Sequence, residues 1–246
     1  MDRLIYTAMT GAKHIMEQQA NTAHNLANVS TTGFRAQLDS FRAIPVISDT
    51  LPTRAFVVDA SVGTNFTPGA FQETGRSLDV AVQGKGWLVV QLEDGSEAYT
   101  RQGSLKTSEN GLLQTSNGLS VQGDGGPISI PPDVNVSIGG DGTISSTERS
   151  GKPGQASAIG RLKLVNPPED TLVRGDDGLF RIKGGATADV DPNVRLASGA
   201  LEGSNVIAVE AMVNMISLGR QFEMHMSLLK NAESNAAKAS QFMALS

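Results

Sequence analysis

The chain has 246 residues and a formal net charge of -5, with 39% apolar and only 18% charged residues. That is enough apolar chain to bury a sizeable core, which excludes a charge-driven disordered protein, and the acidic balance excludes a general phosphate-backbone binder. The absence of cysteine excludes a disulfide scaffold, a thiolate nucleophile and a Cys-ligated metal.

No run approaches the ~20 apolar residues of a membrane span or the ~7–15 of a secretory signal core. Proline and glycine divide what remains. All ten prolines lie between Pro45 and Pro192, and so do all but five of the 27 glycines, the exceptions being Gly11, Gly33, Gly199, Gly203 and Gly219. The order is therefore helix, β-rich centre, helix, an α+β organisation.

The first helix is expected over 3–28. Ile5, Ala8, Ala12, Ile15, Gln19, Thr22 and Leu26 recur at alternating three- and four-residue spacing, the mark of a helical seam. Asn28, Ser30, Thr31, Thr32 and Gly33 then supply turn chemistry. Residues 36–70 carry Pro45, Pro52 and Pro68 and read as an extended connector. The β-rich stretch opens with an alternating strand at 78–82 and a mostly apolar one at 86–92, the second expected to be covered on both faces. Asp94-Gly95, Asn110-Gly111 and Asn117-Gly118 predict hairpins with type I′ turns. Further strands are expected at 128–130, 134–138, 159–165 and 179–182. In the last segment Met215, Leu218, Phe222, His225, Leu229, Ala232, Ala236, Ala239 and Met243 form one long seam, with Val209, Val213 and Ile216 as a second stripe beside it. Ser204 or Asn205 is the expected N-cap, and Gly219 is a weak point costing about 1 kcal/mol against Ala.

Catalytic patterns are scarce. His14 and His24 are ten residues apart and do not share a helix face, and His225 falls on an apolar seam. Ser227 and Lys230 match a Ser-x-x-Lys pattern without its companion motifs. Gly84-Lys85-Gly86 lacks the spacing and the following helix of a phosphate loop. The Asp-Gly pairs at Asp124, Asp141 and Asp177 lack the alternating oxygen ligands of a calcium loop, so no catalytic, metal or cofactor site is assigned. The helices say more. An alanine methyl contributes only ~0.8 kcal/mol on burial, while each ordered backbone residue costs ~1–2 kcal/mol. A lone pair of alanine-rich helices is marginal in water, which points to burial in an assembly.

Three separated motifs carry a resemblance. The first is Asn25-Leu26-Ala27-Asn28 followed by Thr32-Gly33-Phe34-Arg35. The second is Leu78-Asp79-Val80 with Gly84, Gly86 and Trp87, then Tyr99-Thr100-Arg101 and Gly103. The third is Glu202, Ser204, Asn205 and Val206 ahead of the last helix. In this order they resemble the flagellar rod and hook proteins of bacteria over nearly the whole chain, and the opening residues look most like the proximal rod branch. His24 and Trp87 stand where the family usually has Asn and Phe.

The resemblance implies that the terminal helices pair antiparallel, coiled-coil-like, in an inner tube with a central all-β domain outside. It implies a division into 1–35, 36–70, 71–200 and 201–246. It also implies a non-enzymatic rod subunit at the basal body, crossing the periplasm and exported by the flagellar type III apparatus without a cleaved signal peptide. The partners implied are other rod proteins and copies of itself, with no nucleic acid and no small-molecule substrate. Ile5, Ala8, Ala12, Ile15, Leu26, Val209, Val213, Ile216, Leu218, Phe222, Leu229 and Met243 are the expected assembly interface. Three alternatives stand beside this reading. One is a distal rod or hook subunit. Another is a cell-wall glycan hydrolase drawing on Asp79, Glu93, Asp94 or Glu97. The last is a secreted ligand-binding module.

Overall fold

A computed structural model of the chain describes residues 2–45, 55–148 and 157–244. It resolves into two compact units, one of Met1–Val29, Ala36–Asn65 and Val206–Ser246, the other of Ser30–Arg35 and Phe66–Asn205.

The first unit is built on α1 (Asp2–Ala27) and α2 (Ala208–Ala244), which pack together as an antiparallel pair. Their seams follow the sequence periodicity. Ala8, Ala12 and Ile15 of α1 are buried, as are Ala211 and Ala232 of α2, with Leu218, Phe222, His225 and Leu229 half-buried between them. Small side chains let the two backbones approach, and Gly11 is the extreme case. A Cβ there would stand 2.6 Å from Cε1 of His225, so the imidazole ring occupies the space the glycine leaves.

α1 stops where its asparagines take over. The Asn28 side chain donates to the His24 carbonyl, satisfying one of the acceptors left open at a helix end. The Asn25 amide then pins the returning chain, donating to Gln37 O at 2.9 Å and accepting from Gln37 N–H at 2.8 Å. Asn21 donates to Asp39 one turn earlier. From there β1 (Gln37–Pro45) pairs antiparallel with β2 (Ala55–Thr64), with a bulge between Ser40 and Phe41. The stretch read as an extended connector is therefore a paired ribbon, and Pro52 lies outside the described residues. The prolines misled because a proline is tolerated at the end of a strand, and Pro45 closes β1.

The second unit is β. β3 (Phe71–Glu73) pairs with the strand Ala200–Glu202, and β4 (Val80–Gln83) pairs with Arg195–Ser198. β5 (Trp87–Gln91) and β6 (Glu97–Thr100) lie inside a nine-stranded antiparallel sheet. Alternation along β5 sends Leu88 and Val90 into one apolar core, with Val80, Val82, Leu113 and Ile144. It sends Trp87 and Val89 into a second core, with Tyr99 and Phe180. A strand covered on both faces must be apolar throughout, so the expectation for 86–92 holds.

Two local readings are corrected. The Asp-Gly and Asn-Gly pairs do not make type I′ turns, since among the described residues Asp133 is the one non-glycine residue with positive φ. In the first hairpin Gly95 N–H bonds to Leu92 O while Leu92 N–H bonds to Ser96 O. That is a three-residue loop closing on a glycine bulge, and it recurs at Gly111, Gly118, Gly142 and Gly178. Asp94, Asp141 and Asp177 brace their turns by accepting the N–H two residues on. For Asp177 the Arg181 guanidinium holds the carboxyl below its ordinary range; for Asp94 and Asp141 the turn's own hydrogen bonds do so. The second correction concerns the helix start. α2 opens at Ala208, so neither Ser204 nor Asn205 caps it, and Asn205 instead donates its side chain to Thr67 O.

Gly118 has φ +88 with nothing within 4 Å of an added Cβ, so Gly118→Ala introduces backbone strain alone. It is expected to lower stability by about 1–2 kcal/mol in urea unfolding. For Gly11→Ala the outcome depends on its neighbour: stability falls with His225 present and rises by about 1 kcal/mol in a His225→Ala background. A double-mutant cycle on thermal unfolding measures that change of sign.

Candidate functional site: the helix pair and a buried charge cluster

Residues of the expected assembly interface divide between two surfaces. Ala8, Ala12 and Ile15 are buried, and Ile5, Leu26, Leu218, Phe222 and Leu229 are half-buried, along the seam that α1 and α2 share within one chain. Val209, Val213 and Ile216 face outward, 71%, 60% and 59% exposed, together with Ile207, Met212, Met224 and Leu228. On α1, Tyr6, Met9 and Met16 are likewise exposed. Met243 stands in the last turn of α2, and its side chain lies outside the described residues. No helix among the described residues is long and apolar enough to cross a membrane.

Residues from each of the three motif stretches meet at one carboxylate of the second unit. Glu202 is wholly buried. Its Oε2 accepts from Arg101 Nη1 at 3.0 Å, and its Oε1 accepts the Gly69 N–H at 3.0 Å. Arg35 Nη2 lies 2.7 Å from the same Oε1, an ion-pair distance though out of line for a hydrogen bond. Arg101 is anchored further by bonds to Val82 O at 3.0 Å and Gly84 O at 2.6 Å, and its guanidinium sits 5.2 Å above the Trp87 ring. Burial pushes Arg101 below its ordinary value, and the Glu202 carboxylate works against that. A third cation supports the cluster from outside: Arg174 donates to Arg35 O at 2.8 Å and stacks 4.4 Å over Phe34.

The backbones meet at the same place. Gly33 N–H bonds to Glu202 O at 2.7 Å, Asn205 N–H to Phe34 O at 3.3 Å, and Gly203 N–H to Ala70 O at 2.8 Å. Gly33 has φ +70, and a Cβ on it would fall 2.4 Å from the Arg101 carbonyl carbon, so only glycine lets the stem lie this close. Gly103 accepts the Val80 N–H, Gly86 lies against Val194, and the Tyr99 hydroxyl accepts Ala188 N–H. Thr100 is buried, Leu78 and Thr32 are half-buried, and Val206 falls in the first unit with Asn25 and Asn28. Arg35, Arg174 and Gly69 were not singled out as site residues from the sequence. Arg35 was visible only as the end of the Gly33-Phe34 motif, and nothing near it in sequence announces its partner.

The carboxylates considered for glycan chemistry are engaged otherwise. Asp79 is 3% exposed and accepts the Thr74 hydroxyl, Glu97 pairs with Lys163 at 2.6 Å, and Asp94 holds its own turn while Glu93 lies exposed beside it. Lys85 pairs with Glu169, and a strand follows it where a phosphate loop needs a helix. Among the described residues no group of three or more His, Asp or Glu side chains is placed to hold a metal ion.

Comparison with known proteins gives the constellation a family. The model described as "Flagellar hook protein FlgE/F/G D1 domain" matches residues 81–146, and that described as "Flagellar basal body rod FlgEFG protein C-terminal" matches residues 197–242. The flagellar basal-body rod proteins FlgF of Salmonella typhimurium and of Escherichia coli are each 46% identical over 252 residues, covering 100% of both chains. The flagellar basal-body rod protein FlgG of Buchnera aphidicola subsp. Schizaphis graminum is 32% identical over 242 residues, covering 89% of this chain and 91% of its own. Alike along its full length, the chain belongs to the FlgF family of flagellar basal-body rod proteins.

Proposed function

We propose that the chain is a structural, non-catalytic subunit of the flagellar rod, stacking with copies of itself and with other rod proteins into the axial shaft that carries motor torque. The outward stripe of α2 is the observation that carries this reading. Val209, Met212, Val213 and Ile216 are 51–71% exposed on a helix whose opposite face is already occupied by α1. A contiguous apolar stripe of this kind marks an interaction surface, and repeated head-to-tail contacts between copies build a helical shaft instead of closing a ring. Interlocked seams resist torsion because sliding one past another opens voids and forfeits dispersion contacts. The higher identity to FlgF (46%) than to FlgG (32%) supports a proximal position in the rod. Export through the flagellar type III apparatus without a cleaved signal, to a rod crossing the periplasm, completes the reading.

Two substitutions test it. Ile216→Asp sits on the exposed stripe, so the soluble subunit should keep its helicity and its stability to within about 0.5 kcal/mol. A strain carrying only this variant should not swim; normal motility overturns the assignment of that stripe. Leu229→Asp falls on the inner seam, so it should lower the stability of the helix pair in the free subunit, leave the β unit folded and block assembly as a consequence. Circular dichroism and soft-agar motility separate the two cases.

A further inference from the structure

We propose that the Arg35–Glu202–Arg101 cluster is a latch that fixes the order in which the two stems of the β unit open. One stem is 30–35, a short stretch that joins α1 on one side and β1 on the other; the second is 200–205 and continues towards α2. They lie side by side, joined by Gly33 N–H to Glu202 O and by Asn205 N–H to Phe34 O. One carboxylate serves them both, and the resulting electrostatics are unequal.

Withdrawing the C-terminal stem alone takes Glu202 away and leaves Arg35, 1% exposed, and Arg101, 5% exposed, as neighbouring buried cations that have lost their paired carboxylate, with only the weaker field of Glu169 on Arg101. Uncompensated buried charge is among the costliest states a fold can hold. Arg35 relieves it by leaving too, because it stands on the short stretch 30–35, which belongs to no strand, whereas Arg101 is held by Val82 O and Gly84 O. Withdrawing the N-terminal stem alone is different. It removes one cation and leaves Glu202 paired with Arg101 and the Gly69 N–H, a neutral and hydrogen-bonded arrangement. The C-terminal stem therefore does not open without the N-terminal one, while the N-terminal stem opens by itself. The same asymmetry governs closure. The N-terminal stem is made first during synthesis, yet its last anchors, Glu202 O and the Glu202 carboxylate, come near the end of the chain.

Native-state hydrogen exchange on the full chain tests the order. In Glu202→Gln, amides of 30–35 and of 200–205 should lose protection together, by about tenfold or more. In Arg35→Met, amides of 30–35 should lose protection while those of 200–205 keep theirs. Emission from Trp87, the only tryptophan, should shift in Glu202→Gln because Arg101 above its ring loses its charge partner, and should hold in Arg35→Met. If Glu202→Gln shows no cooperative transition, Glu202→Asp takes its place, with the same joint release by a smaller factor. Loosening of 200–205 alone in the Glu202 variant overturns the latch, and so does equal loosening of both stems in Arg35→Met.

Discussion

A carboxylate cut off from water must be met by cations and N–H donors, and the β unit of this protein is arranged around meeting one. Glu202 draws a partner from each of three distant stretches: an ion pair from Arg35 beyond the first helix, the N–H of Gly69 ahead of β3, and a charged hydrogen bond from Arg101 after β6. Such a cluster is a poor source of net stability, since desolvation offsets most of the Coulomb attraction. Its value lies in discrimination. A register shift of one residue in the strand Ala200–Glu202 would turn the charge to the opposite face and leave two guanidinium groups unanswered. Arg35, Arg101 and Glu202, one from each of three motif stretches far apart in sequence, thus meet at one point.

The helical unit obeys a different rule. Its inner seam is made of alanine, glycine and a few larger side chains, which bring the helices close but bury little apolar area. Val209, Val213, Ile216 and Leu228 of α2 are turned outward instead. An isolated subunit that spends its bulk this way holds its helices together weakly and keeps its stickiest surface free.

Much of this was legible beforehand. The three-and-four spacing from Ile5 to Leu26 and from Met215 to Ala232 gave both helices and their facing seam, because helical periodicity is local. The all-apolar stretch at Trp87 gave a doubly covered strand for the same reason. What escaped depended on partners far away. Asn205 resembles a cap, yet its side chain is taken by Thr67. Pro45 and Pro68 suggested a connector because no sequence rule announces that Gln37–Pro45 will find Ala55–Thr64. The hairpin glycines were located correctly and given the wrong turn, since a dipeptide does not reveal whether two residues or three close the loop. Arg35 was passed over because a lone arginine after a phenylalanine says nothing about the carboxylate it will face.

The paired stems carry one more consequence. A domain whose long stretch, Phe66–Asn205, begins and ends in hydrogen-bonded neighbours is topologically a cassette, since lengthening or trimming its hairpins leaves the spacing at its doorway unchanged. Ala70 and Gly203 are that doorway, with Gly33 and Glu202 beside it. Diversification of the decoration carried on such a scaffold needs no compensating change in the scaffold itself, provided the threshold keeps its glycine and its acid.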